Sequence, residues 1–183
     1  MTGSATTRTK GSASHLSLGD GLVRDLERQV RQAQSEWHSP AVIAGIVRDG
    51  TLMWSMHVGS ARLDPTTAPN DDTQYMIGSI TKTFTAVLVM ALRDAGRLSL
   101  DDRLDKYVPH TRHGAVTIRQ LLSHASGLQR EPVGRIWENL DAPDQERLLR
   151  ELEEAEQVLP VHFAFHYSNL AFALLGQIVE QLE

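Results

Sequence analysis

Tyr75-Met76-Ile77-Gly78-Ser79-Ile80-Thr81-Lys82-Thr83-Phe84 is the stretch whose reading decides the fold. Apolar residues lead into a glycine, a serine and then a long apolar run. The pattern predicts a strand end, a turn at Gly78, and a helix that opens at Ser79, runs to about Ala95 and stops at Gly96. Residues three apart share a helix face, and a rise of about 1.5 Å per residue sets Lys82 about one turn above Ser79. A serine hydroxyl is a weak nucleophile until a base takes its proton, and a neutral lysine amine at that distance can take it. The N–H groups and dipole at a helix N-terminus also favour negative charge developing there.

The spacing alone equally describes a capping serine with a solvated lysine one turn on. The context weighs against that reading, because Ala86-Val87-Leu88-Val89-Met90-Ala91-Leu92 carries no polar residue. A helix apolar on nearly every side is a buried one. Lys82 is therefore expected near the interior, where burial disfavours a charged amine. Far downstream, Tyr167-Ser168-Asn169 precedes a second apolar helical run, Leu170 to Leu182. Tyr167 offers a phenol, or a phenolate beside cations. Asn169 offers an amide to a substrate carbonyl or to Lys82. Taken alone, this tripeptide is no more than an aromatic residue beside a helix cap.

Three ordered motifs carry a resemblance. They are Tyr75 to Phe84, then Leu121-Leu122-Ser123-His124-Ala125-Ser126-Gly127-Leu128, then Tyr167-Ser168-Asn169, with Gly96-Arg97-Leu98-Ser99-Leu100-Asp101-Asp102 between the first two. From about Ala41 onward the chain resembles the serine β-lactamase-related family of class C β-lactamases, D-alanyl-D-alanine carboxypeptidases and related esterases. The resemblance implies an α+β, β-lactamase/transpeptidase-like fold. It would consist of a helical region plus an N-terminal hairpin of a central antiparallel sheet whose C-terminal strands are missing. It also implies an acyl-enzyme mechanism on an ester, an amide or a β-lactam. Ser79 matches the nucleophile, Lys82 the amine that assists proton removal, Tyr167 the proton-shuttling tyrosine, and Asn169 the asparagine that orients substrate and lysine. The backbone N–H of Ser79 would form half of an oxyanion hole. Whether Lys82 or Tyr167 is the base is left open, and no metal or other cofactor is implied.

The sequence departs from the family in one motif. No Lys-Thr-Gly occurs, and the one His-x-Gly, His57-Val58-Gly59, precedes Ser79 and reads as coincidence. The sequence ends at Glu183 inside an amphipathic helix, with no glycine stop or polar tail. The expectation is the N-terminal part of a longer hydrolase, lacking competent catalysis by itself. A non-catalytic binding or scaffold relative that keeps the fold is the competing class.

Bulk properties narrow the field. The chain has 183 residues, 41% of them hydrophobic, which suits one globular domain. Its net charge of -5 gives no reason to expect nucleic acid or an anionic membrane as a partner. With no cysteine, a disulfide, a thiolate metal site and a cysteine nucleophile are all excluded. No apolar run reaches the roughly 20 residues of a membrane span. The Ser/Thr/Gly-rich start lacks the apolar segment of a signal peptide, so the chain reads as cytoplasmic. Residues 1–18 read as a flexible tail, and residues 19–183 as the hydrolase portion.

Asp20 to Glu36 has the spacing of an amphipathic helix, with Leu22, Val23, Leu26, Val30 and Ala33 on one face. Asp49-Gly50 between two β-branched runs, Ala41 to Arg48 and Thr51 to Val58, predicts a tight hairpin. An uncovered edge of that hairpin would favour self-association. Asp64 to Asp72 reads as a polar loop, Thr117 as the cap of a helix through His124, and Ala142 to Glu156 as a helix with a solvated acidic face. His124 beside Ser126 invites a triad, but no Gly-x-Ser-x-Gly elbow accompanies it, and it reads as a hydrogen-bonding residue at a helix end. His162 and His166 lie in a segment that Pro160 keeps extended, with no acidic residue to complete a zinc site. Trp54 and Trp137 read as core or rim residues.

Overall fold

The computed structural model describes residues 6–8, 18–134, 136–139 and 141–183. The chain divides into two compact units, Met1–Met76 and Ile77–Glu183.

The first unit is a sheet with one helix on it. Strand β1 (Thr6–Arg8) precedes helix α1 (Asp20–Glu36) and the hairpin of β2 (Ala41–Arg48) and β3 (Thr51–Gly59). The hairpin forms as the turn residues demand: Asp49 and Gly50 both take positive φ, 50° and 73°, which a two-residue turn between twisted strands requires. Trp54, Met56 and Val58 project from one face of β3 and pack with Val23, Leu26 and Val30 of α1. Leu22 is half exposed, and Ala33 is exposed as well, so the covered stripe of α1 is narrower than its apolar spacing suggests. Strand order is β1-β3-β2, all antiparallel, with Thr6 opposite His57. The stretch read as a tail thus supplies a strand, and its residues 1–5 and 9–17 lie outside the described residues. His57 is buried in β3 with its Nε2 3.1 Å from Asp71 Oδ1. The loop expected over Asp64 to Asp72 is partly ordered, because β4 (Arg62–Leu63) and β5 (Thr66–Thr67) pair as a miniature hairpin.

The second unit is helical. A 3₁₀ turn, Gly78–Ile80, leads into α2 (Thr81–Asp94). Gly96, at φ 70°, ends it, and the Arg97 N–H returns to the Leu92 carbonyl at 2.9 Å. Next come a 3₁₀ turn at Leu104–Lys106, α3 (Ile118–Leu122), α4 (Ile136–Asn139), α5 (Gln145–Glu151) and α6 (Asn169–Leu182). Thr117 and Gln120 close a capping box on α3. α3 ends before His124, which itself takes φ 55°. The helix expected from Ala142 starts later, because Pro143 is followed by Asp144, whose carboxylate caps the Arg147 N–H at 2.9 Å. It also ends sooner than Glu156, in a 3₁₀ turn at Leu152–Glu154.

α6 is the centre of this unit. Leu170, Ala171, Leu174, Leu175, Ile178 and Val179 are all buried, against Ile118 and Leu121 of α3, Leu148 and Leu152, and Val89 and Leu92 of α2. Each such leucine or isoleucine contributes about 1.5–3 kcal/mol by leaving water. α2 departs from expectation. Val89 and Leu92 are buried on the side that meets α6, whereas Phe84, Val87 and Leu88 are exposed. Apolar composition reports what a helix can bury; among the described residues only one side of α2 is covered. Lys82 lies on that covered side, seven residues before Val89, and is half-buried instead of interior.

Asp102 pins the turn after α2. One carboxylate oxygen accepts the Ser99 N–H at 2.8 Å, Lys106 Nζ at 2.8 Å and the Tyr107 hydroxyl at 2.6 Å. The Lys106 and Tyr107 bonds, then the Ser99 N–H, hold its carboxyl down at about 2. The folded value lies below the unfolded one, so this stabilisation is complete above the unfolded value of about 3.9 and is lost as pH falls toward the folded one. Asp102→Asn should therefore cost about 1–2 kcal/mol in urea denaturation at pH 7, with the gap to wild type closing between pH 4 and 2. A gap that stays constant with pH would contradict this assignment.

Candidate active site

Two segments of the second unit run side by side and carry the site. The Gly127 carbonyl accepts the N–H groups of Val158 and Leu159 at 2.8 and 3.2 Å, and Gln129 N–H donates to Glu156 at 3.0 Å. Ala125 accepts from His162 at 3.0 Å, His124 from His166 at 2.8 Å, and Arg130 from Asn169 at 2.6 Å. Gly127 has φ 70°, and any side chain there would run into the Leu159 carbonyl, so glycine is required. The Ser168 hydroxyl caps α6 through the Ala171 N–H at 2.9 Å and donates to the Gln129 carbonyl at 2.8 Å. The second and third motifs are thus the two sides of one hydrogen-bonded lattice, and α6 grows out of it.

That lattice delivers Tyr167 and Asn169 to the start of α2. The Tyr167 hydroxyl is 2.6 Å from Ser79 Oγ. Lys82 Nζ donates to Asn169 Oδ1 at 2.5 Å and makes a longer approach, 3.4 Å, to Ser79 Oγ. The same nitrogen lies 4.8 Å from the Tyr167 ring centroid. All four residues singled out in the sequence therefore converge, across a separation of 88 positions between Ser79 and Tyr167. Hydrogen bonding to Lys82, then to Ser79, holds the Tyr167 phenol below the ordinary tyrosine range, and the charges of Lys82 and Arg130 act in the same direction.

Two further residues belong to the site. Glu131 accepts both hydrogen bonds offered by Asn169 Nδ2, at 2.8 and 2.9 Å. A carboxylate only accepts, so it draws the NH₂ end of the amide and leaves Oδ1 for Lys82. Arg130 lies 5.1 Å from the other neighbour, the Tyr167 ring centroid, and 3.3 Å from the Glu131 carboxylate. Neither is distinguishable in the sequence from surface charge in a polar loop. The only available signal is that both lie just past the second motif, after Gln129. A cavity of about 500 Å³ opens here. Ser79, Lys82, Arg130, Glu131, Tyr167 and Asn169 form one part of its wall, and Pro132, Ile136, Trp137 and Pro143 form an apolar part. Trp137 is 70% exposed, whereas Trp54 is a core residue at 2%. A second cavity, beside Arg112, His113, Glu156 and Gln157, contains none of these groups.

The sequence profile of the family described as Beta-lactamase matches residues 26–183. The chain belongs to the β-lactamase family. It is 34% identical to Beta-lactamase-like protein 2 of Dictyostelium discoideum, over 84% of this chain and 30% of that protein. It is 28% identical to a Beta-lactamase of Psychrobacter immobilis, over 91% of this chain and 41% of that one. Among solved structures, the octameric penicillin-binding protein homologue from Pyrococcus abyssi superposes with a TM-score of 0.74 at 29% identity, covering 87% of this chain and 39% of that one. The fold is therefore β-lactamase/transpeptidase-like, and the chain spans only 30% to 41% of the length of these relatives.

Glu131→Ala removes the acceptor that orders the Asn169 amide. Its side-chain NH₂ protons should then exchange with solvent about 10- to 100-fold faster, as loss of hydrogen bonds to a charged group implies. Side-chain amide exchange by NMR measures this, and unchanged exchange would show that Glu131 does not hold the amide.

Proposed function

We propose that this chain carries the acylation centre of a serine hydrolase acting on an ester, amide or β-lactam carbonyl. Ser79 is the nucleophile. Tyr167, as phenolate, receives the Ser79 proton while Oγ bonds to the carbonyl carbon. The carbonyl electron pair moves to oxygen, beside the Ser79 N–H at the start of the helical segment. As the tetrahedral centre collapses, the leaving group departs with a proton returned by Tyr167, and the acyl group remains on Oγ. Water then releases the acid. Lys82 stabilises the phenolate, and Asn169 keeps Lys82 in place.

The single observation that carries this reading is the 2.6 Å approach of the Tyr167 hydroxyl to Ser79 Oγ, with Lys82 further off at 3.4 Å. The difference favours Tyr167 over Lys82 as the immediate proton acceptor, since proton transfer needs heavy atoms within about 3.2 Å or one water between them. The chain's similarity to a β-lactamase and to a penicillin-binding protein homologue supports a β-lactam or related acyl donor as the substrate class.

Exposure of the purified chain to a fluorophosphonate and to a penicillin, followed by intact-mass and peptide mass spectrometry, tests the reading. A stoichiometric adduct on Ser79 is expected. Tyr167→Phe and Lys82→Ala should each slow its formation by about 10²- to 10⁴-fold. A folded chain that stays unlabelled would instead identify a relative that keeps the fold without acyl transfer.

A further inference from the structure

His124 has three simultaneous links to the segment that carries the phenol. Its carbonyl oxygen accepts the His166 N–H at 2.8 Å. Its ring nitrogen Nδ1 accepts the Ser168 N–H at 3.1 Å. Its ring lies against the Tyr167 ring between those two anchors, with centroids 4.6 Å apart and planes 28° from parallel. The residues on either side of Tyr167 are thus bonded to His124, and Tyr167 itself rests on the imidazole. The backbone of His124 takes φ 55°, an uncommon conformation for a residue with a side chain, and the residue is only 8% exposed.

The geometry points to His124 as a positioning residue that sets the Tyr167 phenol at Ser79, working only as the neutral imidazole with its proton on Nε2. This rests on the reading of Tyr167 as proton acceptor given above, and adds to it a residue that touches neither substrate nor Ser79. The protonation state follows from hydrogen-bond direction. A backbone N–H can only donate, so Nδ1 must present its lone pair to Ser168. An imidazolium would aim a second N–H at the first, break that anchor and loosen the segment. Around the ring stand Lys82 from α2, Tyr167 and His166 from the segment before α6, the apolar rings of Phe165 and Phe172, and Arg130 beyond Tyr167. Burial, and then the charge of Lys82, push the imidazole below the ordinary histidine range, which keeps it neutral at physiological pH. A histidine that merely fills space has no need of a particular tautomer, and there the two roles diverge.

Two substitutions separate the links. His124→Asn places an amide oxygen near the position of Nδ1, tolerates positive φ and cannot be protonated, but has no ring. His124→Phe keeps a ring under Tyr167 and removes the acceptor, leaving the Ser168 N–H unpaired. The rate of Ser79 labelling by a fluorophosphonate is measured against pH for both and for the wild-type chain. His124→Phe should be slowed about 10- to 100-fold near neutral pH, and His124→Asn by no more than about fivefold. In the wild type the rate should fall as pH drops through the lowered histidine range, and His124→Asn should lack that step. Superposable profiles for wild type and His124→Asn would overturn the proposal.

A second measurement needs neither reactivity nor a folded variant. ¹⁵N-histidine NMR of the wild-type chain should find Nδ1 of His124 without a proton at neutral pH. Acidification should shift the Ser168 amide and the Tyr167 ring with one shared midpoint. A protonated Nδ1 at neutral pH, or a Tyr167 ring indifferent to that titration, overturns the proposal. If these NMR results hold and Ser79 is never labelled, the hydrolase reading fails while the placement of Tyr167 by His124 stands. If Ser79 is labelled and the NMR results fail, the positioning role alone is lost.

Discussion

The hydrogen bond from Lys82 to Asn169 joins the beginnings of α2 and α6, and the geometry around Ser79 depends on it. Each partner is fixed from behind. Lys82 shares the side of α2 that Val89 and Leu92 bury, so its stem starts from packed backbone. Asn169 is the first residue of α6, behind the Ser168 cap, and Glu131 takes the other end of its amide. Of the groups around the amide, the carboxylate has the clearest directional effect, because an asparagine with two similar ends has no intrinsic preference for which one it offers. With Lys82 so placed, the phenol of Tyr167 meets both a cation and a hydroxyl, and its acidity rises.

The lattice between residues 124–131 and 156–169 gives this arrangement its stiffness. Loops carry functional groups well only when a scaffold constrains them. Here the constraint is a series of backbone bonds between the two segments, and α6, whose buried leucines and isoleucine belong to the core of the unit, grows out of them. Gly127 permits the close crossing to Leu159, and His124 turns the chain at positive φ while reaching back to Ser168. Packing, backbone conformation and site geometry therefore meet in the same few residues.

Local chemistry was legible in the sequence. Asp49-Gly50 announces its turn, Thr117 its helix cap and Gly96 its helix stop, whereas the Gln120 half of the capping box appears only in the structure. The four residues brought together at Ser79 were named by motif, and the family itself was recognisable from the order of those motifs. What stayed hidden depends on contacts between distant segments. Glu131 and Arg130 look like ordinary loop charges until Asn169 and Tyr167 arrive beside them. In the sequence His124 reads as a hydrogen-bonding residue at a helix end, with no sign of the phenol it stacks on. The exposed side of α2, with Phe84, Val87 and Leu88, has the hydropathy of a buried face, because hydropathy carries no record of which face a neighbour covers. The pairing of Thr6–Arg8 with β3 is not legible in the sequence, because a short Ser/Thr/Gly-rich segment has little strand signal of its own.

The most direct test of the account is the titration of Tyr167 followed by NMR of ¹³C-labelled tyrosine, alongside Tyr107 as an internal contrast. Tyr167 should titrate below the ordinary tyrosine value of about 10, and Tyr107, which burial and then Asp102 push upward, above it. In Lys82→Ala, Tyr167 should move back toward the ordinary value. A Tyr167 that titrates at or above about 10 with Lys82 in place would contradict the central claim that an amine one helical turn from Ser79 activates this phenol.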